Sequence, residues 1–536
     1  MTTAHTGTDP VATRVPESGE AQQRGTLLVA DRVVTLGHGR YKARALVIRG
    51  KRVVWVGDDP AQAPPHGAVV DLAGCTVGPA FVDAHVHLTP TGITLTGLDL
   101  SGVRSGDEML RALSTYADQH TGRVIWGHGY DTHGFAGPLP GPDALADAAS
   151  GRAVYLSRVD AHSAIVDRHT LSAAPLARAQ GIEKDADGEP TGVVKREANH
   201  IVRRWSVGAM SAAELATARD AAVREACRLG ITAVHEMGGP DIMGVDDFDA
   251  WRFGAWPLEV VPYWGGVDLG FAIERDLRQI GGDLLLDGSL GSHTAALSEP
   301  YADADTSGHL EFDDDTLTEF FLEATHAGIQ VGVHAIGDEA IRQAVRCWRS
   351  VDDAVPEHLE GAVRRLHHRL EHAEVMPPEL IDDIAELGLL ISGQPAFEAA
   401  WGGPGGMYER RLGPARERWT NPFRGLADRG VHLAFGSDAN VTPMDPWGMV
   451  HAAQHRAHAE HAISRLEAVS GSTLGGRSAA RQERYVGVIR AGLRADLSVW
   501  EGDPFAADDP RGSRCVLTVH KGRVTHGDAA LPRWEP

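Results

Sequence analysis

The chain of 536 residues is poor in cysteine, in positive charge and in long apolar runs, and each shortage removes a class of function. Its four cysteines, Cys75, Cys227, Cys347 and Cys515, lie far apart and form no CxxC pair. Neither a disulfide framework nor a cysteine zinc site is available, and isolated thiols suit a reducing, cytoplasmic setting. Lysine and arginine number 51 against 73 aspartates and glutamates, a formal charge of −22. A phosphate-binding face needs a basic stripe, so nucleic acid is excluded as a partner, and anionic membranes are excluded by the same sign. No apolar run approaches the roughly 20 residues of a membrane span. Residues 1–24 are polar, with no apolar h-region, and read as a disordered tail rather than a secretory signal. The glycine-rich GGPGG at 402–406 lacks the Lys-Ser/Thr of a phosphate loop, and no G-x-S-x-G elbow occurs. What remains is an ordinary globular composition, 43% apolar and 23% charged, with length enough for a large core.

The ends and the middle of the chain differ in pattern. TLLVADRVVTL, ALVIRGKRVVWVG and AVVDLAGCTV near the N-terminus are short, β-branched runs punctuated by Gly and Asp, and ADLSVWEGDPF and CVLTVHKGRVTHG near the C-terminus match them. Each half alone leaves an unclosed sheet edge. The economical reading is one small β-sandwich built from residues 25–79 and 484–536, with a larger unit inserted at 80–483. Within that unit apolar strand runs alternate with helical stretches such as ELATARDAAVREACRLG and DTLTEFFLEATHAG, which predicts an α/β fold with a parallel sheet, a (β/α)₈ TIM barrel. Nine runs qualify as strands: AFVDAH, RVIWGH, AVYLSRVD, TAVHE, DLLLDG, QVGVHA, RLEHA, LLISGQ and HLAFGSD. A barrel needs eight, so one is assigned to an insertion. The Gly-, Pro- and Arg-rich segment 401–423 reads either as a lid or as a plain surface loop.

Most of these runs end in His, Asp, Glu or Gln, and in such folds the C-terminal strand ends carry the chemistry. In FVDAHVHL, His85 and His87 alternate with apolar residues, so both imidazoles leave one face and can grip one cation. Asp83 shares that face as a carboxylate that could orient a ligand. His334 ends QVGVHAIGD, His372 ends RRLHHRLEH and Asp438 ends HLAFGSD. Singly, each reads equally well as a buried hydrogen-bonded side chain or a helix cap. Four imidazoles and a carboxylate at successive strand ends suit a divalent, borderline cation such as zinc. The H-x-x-E-H spacing of His368, Glu371 and His372 would need a helix to bind metal, and the prolines after it argue for a strand. His451, His455 and His458 have helical spacing but no carboxylate, and read as a helix face.

These motifs together make the chain resemble the amidohydrolase superfamily, in particular its family 3 branch, which includes the N-substituted formamide deformylases. The resemblance rests on FVDAHVHL (81–88), DGEPTGVV (187–194), DGSLGSHTAAL (287–297), VHAIGDEAI (333–341), RLEHAE (369–374) and FGSDANV (435–441). It implies that His85, His87, His334, His372 and Asp438 hold metal, with Asp438 also shuttling protons. Three positions depart from the family pattern: Ala80 stands in a PGF motif, His293 replaces an Arg, and Asp283 replaces a Lys that carbamylation turns into a two-metal bridge. Asp283 has one methylene where that Lys has four and is expected to fall short of bridging unless its strand moves inward, so one ion is expected rather than two; a shifted strand that makes Asp283 the bridge, or another carboxylate such as Glu236, is the alternative.

The expected function is hydrolysis of a C–N bond in an amide, N-acyl or cyclic amide substrate by a metal-activated hydroxide. Asp438 serves as general base and then acid, and His372 assists at the oxyanion. Tyr155, Arg158, Asp160, His162, Asp287 and His293 are the candidate substrate contacts. Two rival readings stand beside it. A heterocycle deaminase on this scaffold would want a Glu three residues after His334, where Gly337 stands. A non-catalytic binding protein would be marked by lost ligand positions, and only Asp283 is altered. The expected partner is a small-molecule substrate, and a homo-oligomer is not excluded.

Overall fold

The structure is a computed structural model and describes residues 13–14, 25–37, 43–132, 135–159, 163–240 and 242–527. Apart from Thr13–Arg14, a two-residue strand paired with Ala68–Pro79, the tail expected to be disordered lies outside these residues.

Eight parallel strands form the centre: β1 (Phe81–Val86), β2 (Ile231–Gly238), β3 (Glu259–Trp264), β4 (Gln279–Leu285), β5 (Gln330–Ala335), β6 (Arg369–His372), β7 (Leu390–Gly393) and β8 (Leu433–Phe435). They pair in the order β1-β2-β3 and β4-β5-β6-β7-β8. The ends of the two groups meet. Beyond β8, Ala439 forms a parallel bridge with Val86, the Asp438 amide donates to the His85 carbonyl and the His87 amide to that of Ala439, both at 2.8 Å. Between β3 and β4 the Gln279 side chain donates to the Pro262 carbonyl at 2.9 Å. Every residue of β1, β2, β5, β6 and β7 is buried, the mark of parallel strands covered on both faces.

The strand assignment needs two corrections. Two of the nine runs rather than one lie outside the central set: RVIWGH and AVYLSRVD belong to a separate six-stranded mixed sheet. Conversely, EVVPYW (β3) is a central strand that the sequence reading passed over. The proline explains the omission, because Pro inside a run argues against a ladder strand. Here Pro262 gives up one amide, and its carbonyl is satisfied by Gln279. Nine candidates minus two plus one give the eight strands seen.

That separate sheet occupies residues 98–195, between β1 and β2. A helix, Arg196–Ala209, follows it, and Ala212–Arg228 returns to β2 behind a capping box of Ser211 and Glu214. Elsewhere, strands from both ends of the chain share one sheet. Ala68–Pro79 pairs parallel to Thr26–Val33 on one side and antiparallel to Leu497–Glu501 on the other. Val70, Val77, Leu497, Val499 and Leu517 are packed in its core. A buried ionic network ties it to the central strands. Arg477 donates to Asp496 and Glu259 at 2.9 Å, and Arg494 donates to the same two carboxylates at 2.7 Å. Burial alone would raise the Glu259 pKa, but the two guanidiniums prevail and hold it at about 2.

Candidate metal centre

The ends of five of the eight strands deliver polar side chains to a common point. His85 comes from β1, and His87 from the turn that opens helix Leu88–Thr96. Asp283 comes from β4, His334 from β5, His372 from β6, and Asp438 from the loop after β8. The donor atoms of His85, His87 and Asp438 lie within 4.8 Å of one another, and so do those of His85, Asp283 and His372. His87 Nε2 is 3.2 Å from both Asp283 Oδ2 and Asp438 Oδ1, and His85 Nε2 is 3.7 Å from an oxygen of each. His334 Nδ1 and His372 Nε2 stand 3.3 and 3.6 Å from Asp283 Oδ1.

Asp283 is therefore in the middle of the cluster, because the inward strand displacement that its short side chain needs is present. The cause lies in the backbone. Gly281 and Gly282 both take φ +79°, and the β4–β5 register shifts between Gly281 and Leu285. This irregularity carries Asp283 inward and supplies by main chain the reach that one methylene lacks. Glycine is required there: a Cβ on Gly281 would lie 2.0 Å from the Gly332 carbonyl oxygen, and one on Gly282 2.5 Å from Met237 Sδ. Glu236, the other carboxylate considered as a bridge, is used elsewhere, accepting from the Leu88 amide at 2.7 Å.

Each imidazole is fixed by its second nitrogen. His85 Nδ1 meets Glu371 Oε2 at 3.0 Å, and His87 Nδ1 donates to the Met237 carbonyl at 2.8 Å. His372 Nδ1 meets Gln394 Oε1 at 2.8 Å, and His334 Nε2 donates to the Gly288 carbonyl at 3.2 Å. All four outer partners are acceptors, so a proton on each outer nitrogen is satisfied and the inner nitrogens are left facing the cluster. Glu371 and Gln394 are outer partners of the imidazoles that the sequence reading missed as such. Their signal was present, since one precedes His372 and the other ends the LLISGQ run. Asp83 does a different job from the one expected. It accepts from Ser437 N at 2.9 Å and Ser437 Oγ at 2.6 Å, and so pins the turn that carries Asp438 rather than orienting an imidazole.

The electrostatics suit a cation. Burial would raise the carboxylate pKa values, yet the surrounding histidines hold Asp283 well below the usual range and Asp438 below it. Burial would lower His372, yet Asp283 and Asp438 lift it to about 9. His85 Nε2, His372 Nε2 and Asp438 Oδ1 are buried without any hydrogen-bond partner among the described residues, an expensive arrangement unless something else occupies the space between them. Imidazole and carboxylate donors fit a divalent metal ion there. Asp438, His372 and Ala373 also take positive φ, 51°, 66° and 49°, as strained residues at functional sites often do.

The other candidate residues fall outside the cluster. Asp287 is buried and accepts from the amides of Ala296, Ile336 and Gly337 at 2.8 to 3.0 Å, bracing the DGSLGS loop against the end of β5. His293 Nε2 pairs with Asp303 at 3.0 Å. Tyr155 is fully buried in the separate sheet, its hydroxyl donating to Asn199 Oδ1 at 3.0 Å. Arg158 pairs with Asp131 at 2.9 Å. Asp160 and His162 lie outside the described residues. His368 is in neither a helix nor the cluster, but stacks on Trp348 with centroids 3.8 Å apart. Segment 401–423 is clasped to the 287–303 loop: Arg411 donates to the Gly291 carbonyl at 3.0 Å and Arg416 to those of Glu299 and Pro300 at 2.9 and 2.6 Å. A cavity of about 620 Å³ opens over His87 and Asp283, and none of 401–423 lines it. Among the described residues no helix is long and apolar enough to cross a membrane.

Comparison with known proteins gives the chain's relatives. A model of the amidohydrolase family matches residues 68–526. YtcJ of Bacillus subtilis, named as an amidohydrolase, is 30% identical over 83% of this chain and 87% of its own. The N-substituted formamide deformylase of Arthrobacter pascens is 24% identical over 90% of this chain and 94% of its own. The crystal structure of an uncharacterised metal-dependent hydrolase from Pyrococcus furiosus superimposes with a TM-score of 0.73 and 26% identity. The match covers 90% of this chain and 99% of that one.

Proposed function

The chain belongs to the amidohydrolase family, and from that premise we propose that it is a metal-dependent hydrolase of a C–N bond in a small amide. The observation that carries this reading is the convergence of His85, His87, His334, His372, Asp283 and Asp438, where His85 Nε2, His372 Nε2 and Asp438 Oδ1 have no hydrogen-bond partner among the described residues. These six side chains would hold the metal, and the balance of imidazole and carboxylate favours zinc. A bound divalent ion supplies Lewis acidity, which polarises the substrate carbonyl and makes water a nucleophile at neutral pH.

The chain's own residues do the rest. Asp438 takes a proton on its carboxylate as water adds to the carbonyl carbon and returns it to the departing nitrogen, completing hydrolysis to acid and amine. Glu371, Gln394 and the carbonyls of Met237 and Gly288 hold the four rings so that little reorganisation accompanies the reaction. At the position where a deaminase would carry a carboxylate, the Gly337 amide instead donates to Asp287 at 2.8 Å. The name of the Arthrobacter relative favours N-acyl amines among the amides.

In this reading the eight strands close as a (β/α)₈ barrel, supported by the Val86–Ala439 bridge on one seam and the Gln279–Pro262 bond on the other. The domain division follows: residues 80–483 form the barrel with its insertion, and 25–79 with 484–536 form the composite terminal unit. The test is elemental analysis of purified protein followed by a screen against N-acyl amines, cyclic imides, lactones and amino-heterocycles. Stoichiometric divalent metal and chelator-sensitive release of amine are expected. Full turnover by metal-stripped protein, or deamination without amide cleavage, overturns the reading.

A further inference from the structure

The cavity over His87 and Asp283 has a wall that the reaction does not explain. Three of the ten large apolar side chains exposed in the described structure line it: Val267, Leu285 and Val441, each more than 40% exposed. Leu285 lies two residues after Asp283 and Val441 three after Asp438, so apolar surface flanks both carboxylates of the centre. Trp126 and Phe312 extend it. Exposed aliphatic side chains gathered in one concavity mark a binding surface for an apolar group.

One wall is cationic. Helix Arg196–Ala209, outside the eight central strands, brings Arg203 into the cavity lining. Arg203 is part-buried, and no carboxylate pairs with it among the described residues. Of the acidic side chains in the lining, Glu311 is engaged by His309 at 2.8 Å. Asp283 is engaged by the histidines. The helix is held in place from behind. Asn199, one turn before Arg203, accepts from Tyr155, whose ring lies 4.3 Å from that of Trp126. In a chain of charge −22 an anion meets general repulsion, so a guanidinium carried into this cavity by a braced helix is a local exception that selects for one.

We propose that Arg203 is a specificity-determining residue that anchors the carboxylate of the substrate. The substrate class is then an amide with an apolar body and one carboxylate, of the N-acyl amino acid kind, its apolar part against Leu285 and Val441 and its scissile carbonyl at the centre. This rests on the amidohydrolase reading for the bond cleaved, but the anion site stands on its own observations. It also gives the inserted sheet a role, as the scaffold that carries the substrate-selecting helix over the reaction centre.

The test uses a matched pair, an N-acyl-L-phenylalanine and the same N-acyl-2-phenylethylamine, which differ only by the carboxylate, with formyl, acetyl and benzoyl as acyl groups. Metal-loaded wild type is expected to favour the acid by about 10- to 100-fold in kcat/KM, mostly through KM, the range of a charge-assisted hydrogen bond. Arg203→Ala should collapse that ratio towards one, and Arg203→Lys should restore part of it. Equal kcat/KM for the pair in wild type, or a ratio that survives Arg203→Ala, overturns the proposal. Calorimetric titration of 3-phenylpropionate separates this from the parent reading. Binding about 10-fold weaker in Arg203→Ala supports the anion site even if no amide is cleaved, which would sink the hydrolase reading alone. Cleavage of both amides with Arg203-independent 3-phenylpropionate binding would sink the anion site alone.

Discussion

Glu371→Gln changes one buried oxygen to an amide nitrogen and separates two jobs that the carboxylate performs at once. Glu371 Oε1 lies 2.7 Å from Arg369 Nε, both side chains fully buried, while Oε2 receives His85 Nδ1 at 3.0 Å. Burial works against the charge, yet Arg369 and His85 hold Glu371 at about 2. Neutralising it leaves Arg369 as an uncompensated buried cation, a loss of about 3–5 kcal/mol. With an unfolding entropy of about 2.1 cal/mol/K per residue, the 536-residue chain changes by about 1.1 kcal/mol per degree, so Tm should drop by about 3–4 °C. The second job is tautomer control. An amide offers His85 either a donor or a weaker acceptor, and metal affinity should fall about 10- to 100-fold, as for other carboxylates behind a ligating imidazole. Chelator-competition titration measures the affinity, and melts in EDTA measure stability without metal. The double variant Arg369→Met/Glu371→Gln removes the orphaned charge, and should recover part of the Tm while metal affinity stays low. Wild-type metal affinity in Glu371→Gln, or recovery of affinity together with Tm in the double variant, would refute the reasoning.

Three further outcomes are expected. Asp438→Asn should lower turnover by roughly 10²- to 10⁴-fold with circular dichroism unchanged, and retention of more than a tenth of the activity would remove Asp438 from proton transfer. Gly282→Ala, whose Cβ would meet Met237 Sδ at 2.5 Å and Tyr263 Cβ at 2.8 Å, should cost about 3–5 kcal/mol and reduce bound metal. Gly151→Ala, at the same φ of +79° but with nothing within 4 Å, should cost only about 1–2 kcal/mol, and equal denaturant midpoints for the two variants would count against a packing requirement at Gly282. In acid, Glu259 titrates below its unfolded value, so its contribution is full above about pH 5 and is lost as pH falls towards 2. The drop from 4.5 to about 2 corresponds to about 3 kcal/mol, and Glu259→Gln should flatten the Tm–pH curve between pH 5 and 2; parallel curves would contradict this.

The residues of the centre were legible because their signal is local. His85 and His87 alternate within one strand, and His334, His372 and Asp438 each follow an apolar run, so strand periodicity alone places them at strand ends. The surroundings were less legible because their causes are not local. RVIWGH and AVYLSRVD have the same strand–helix rhythm as the central strands and are parallel to each other, so nothing within them tells which sheet they join. Glu259–Trp264 was hidden by Pro262. The outer partners of the rings come from two side chains and two main-chain carbonyls, and the carbonyls carry no sequence signal at all.

Asp283 shows how the effect of a local substitution depends on its neighbours. Counting methylenes treats the strand as a fixed rail along which side chains are exchanged, and on such a rail an aspartate falls short of a lysine's reach. The Gly281–Gly282 pair removes the rail. With both residues at φ +79° and the register broken before Leu285, the backbone moves towards the histidines, and a short, stiff carboxylate arrives where a long, flexible side chain would otherwise be needed. A long side chain from this displaced backbone would run into His334 and His372, whose nitrogens already lie 3.3 and 3.6 Å from Asp283 Oδ1. The two glycines and the aspartate are therefore one structural unit, and the identity of residue 283 can be interpreted only together with the conformation of residues 281 and 282. The short side chain also has fewer rotamers to immobilise than a lysine, so the carboxylate is positioned by the main chain before any cation binds.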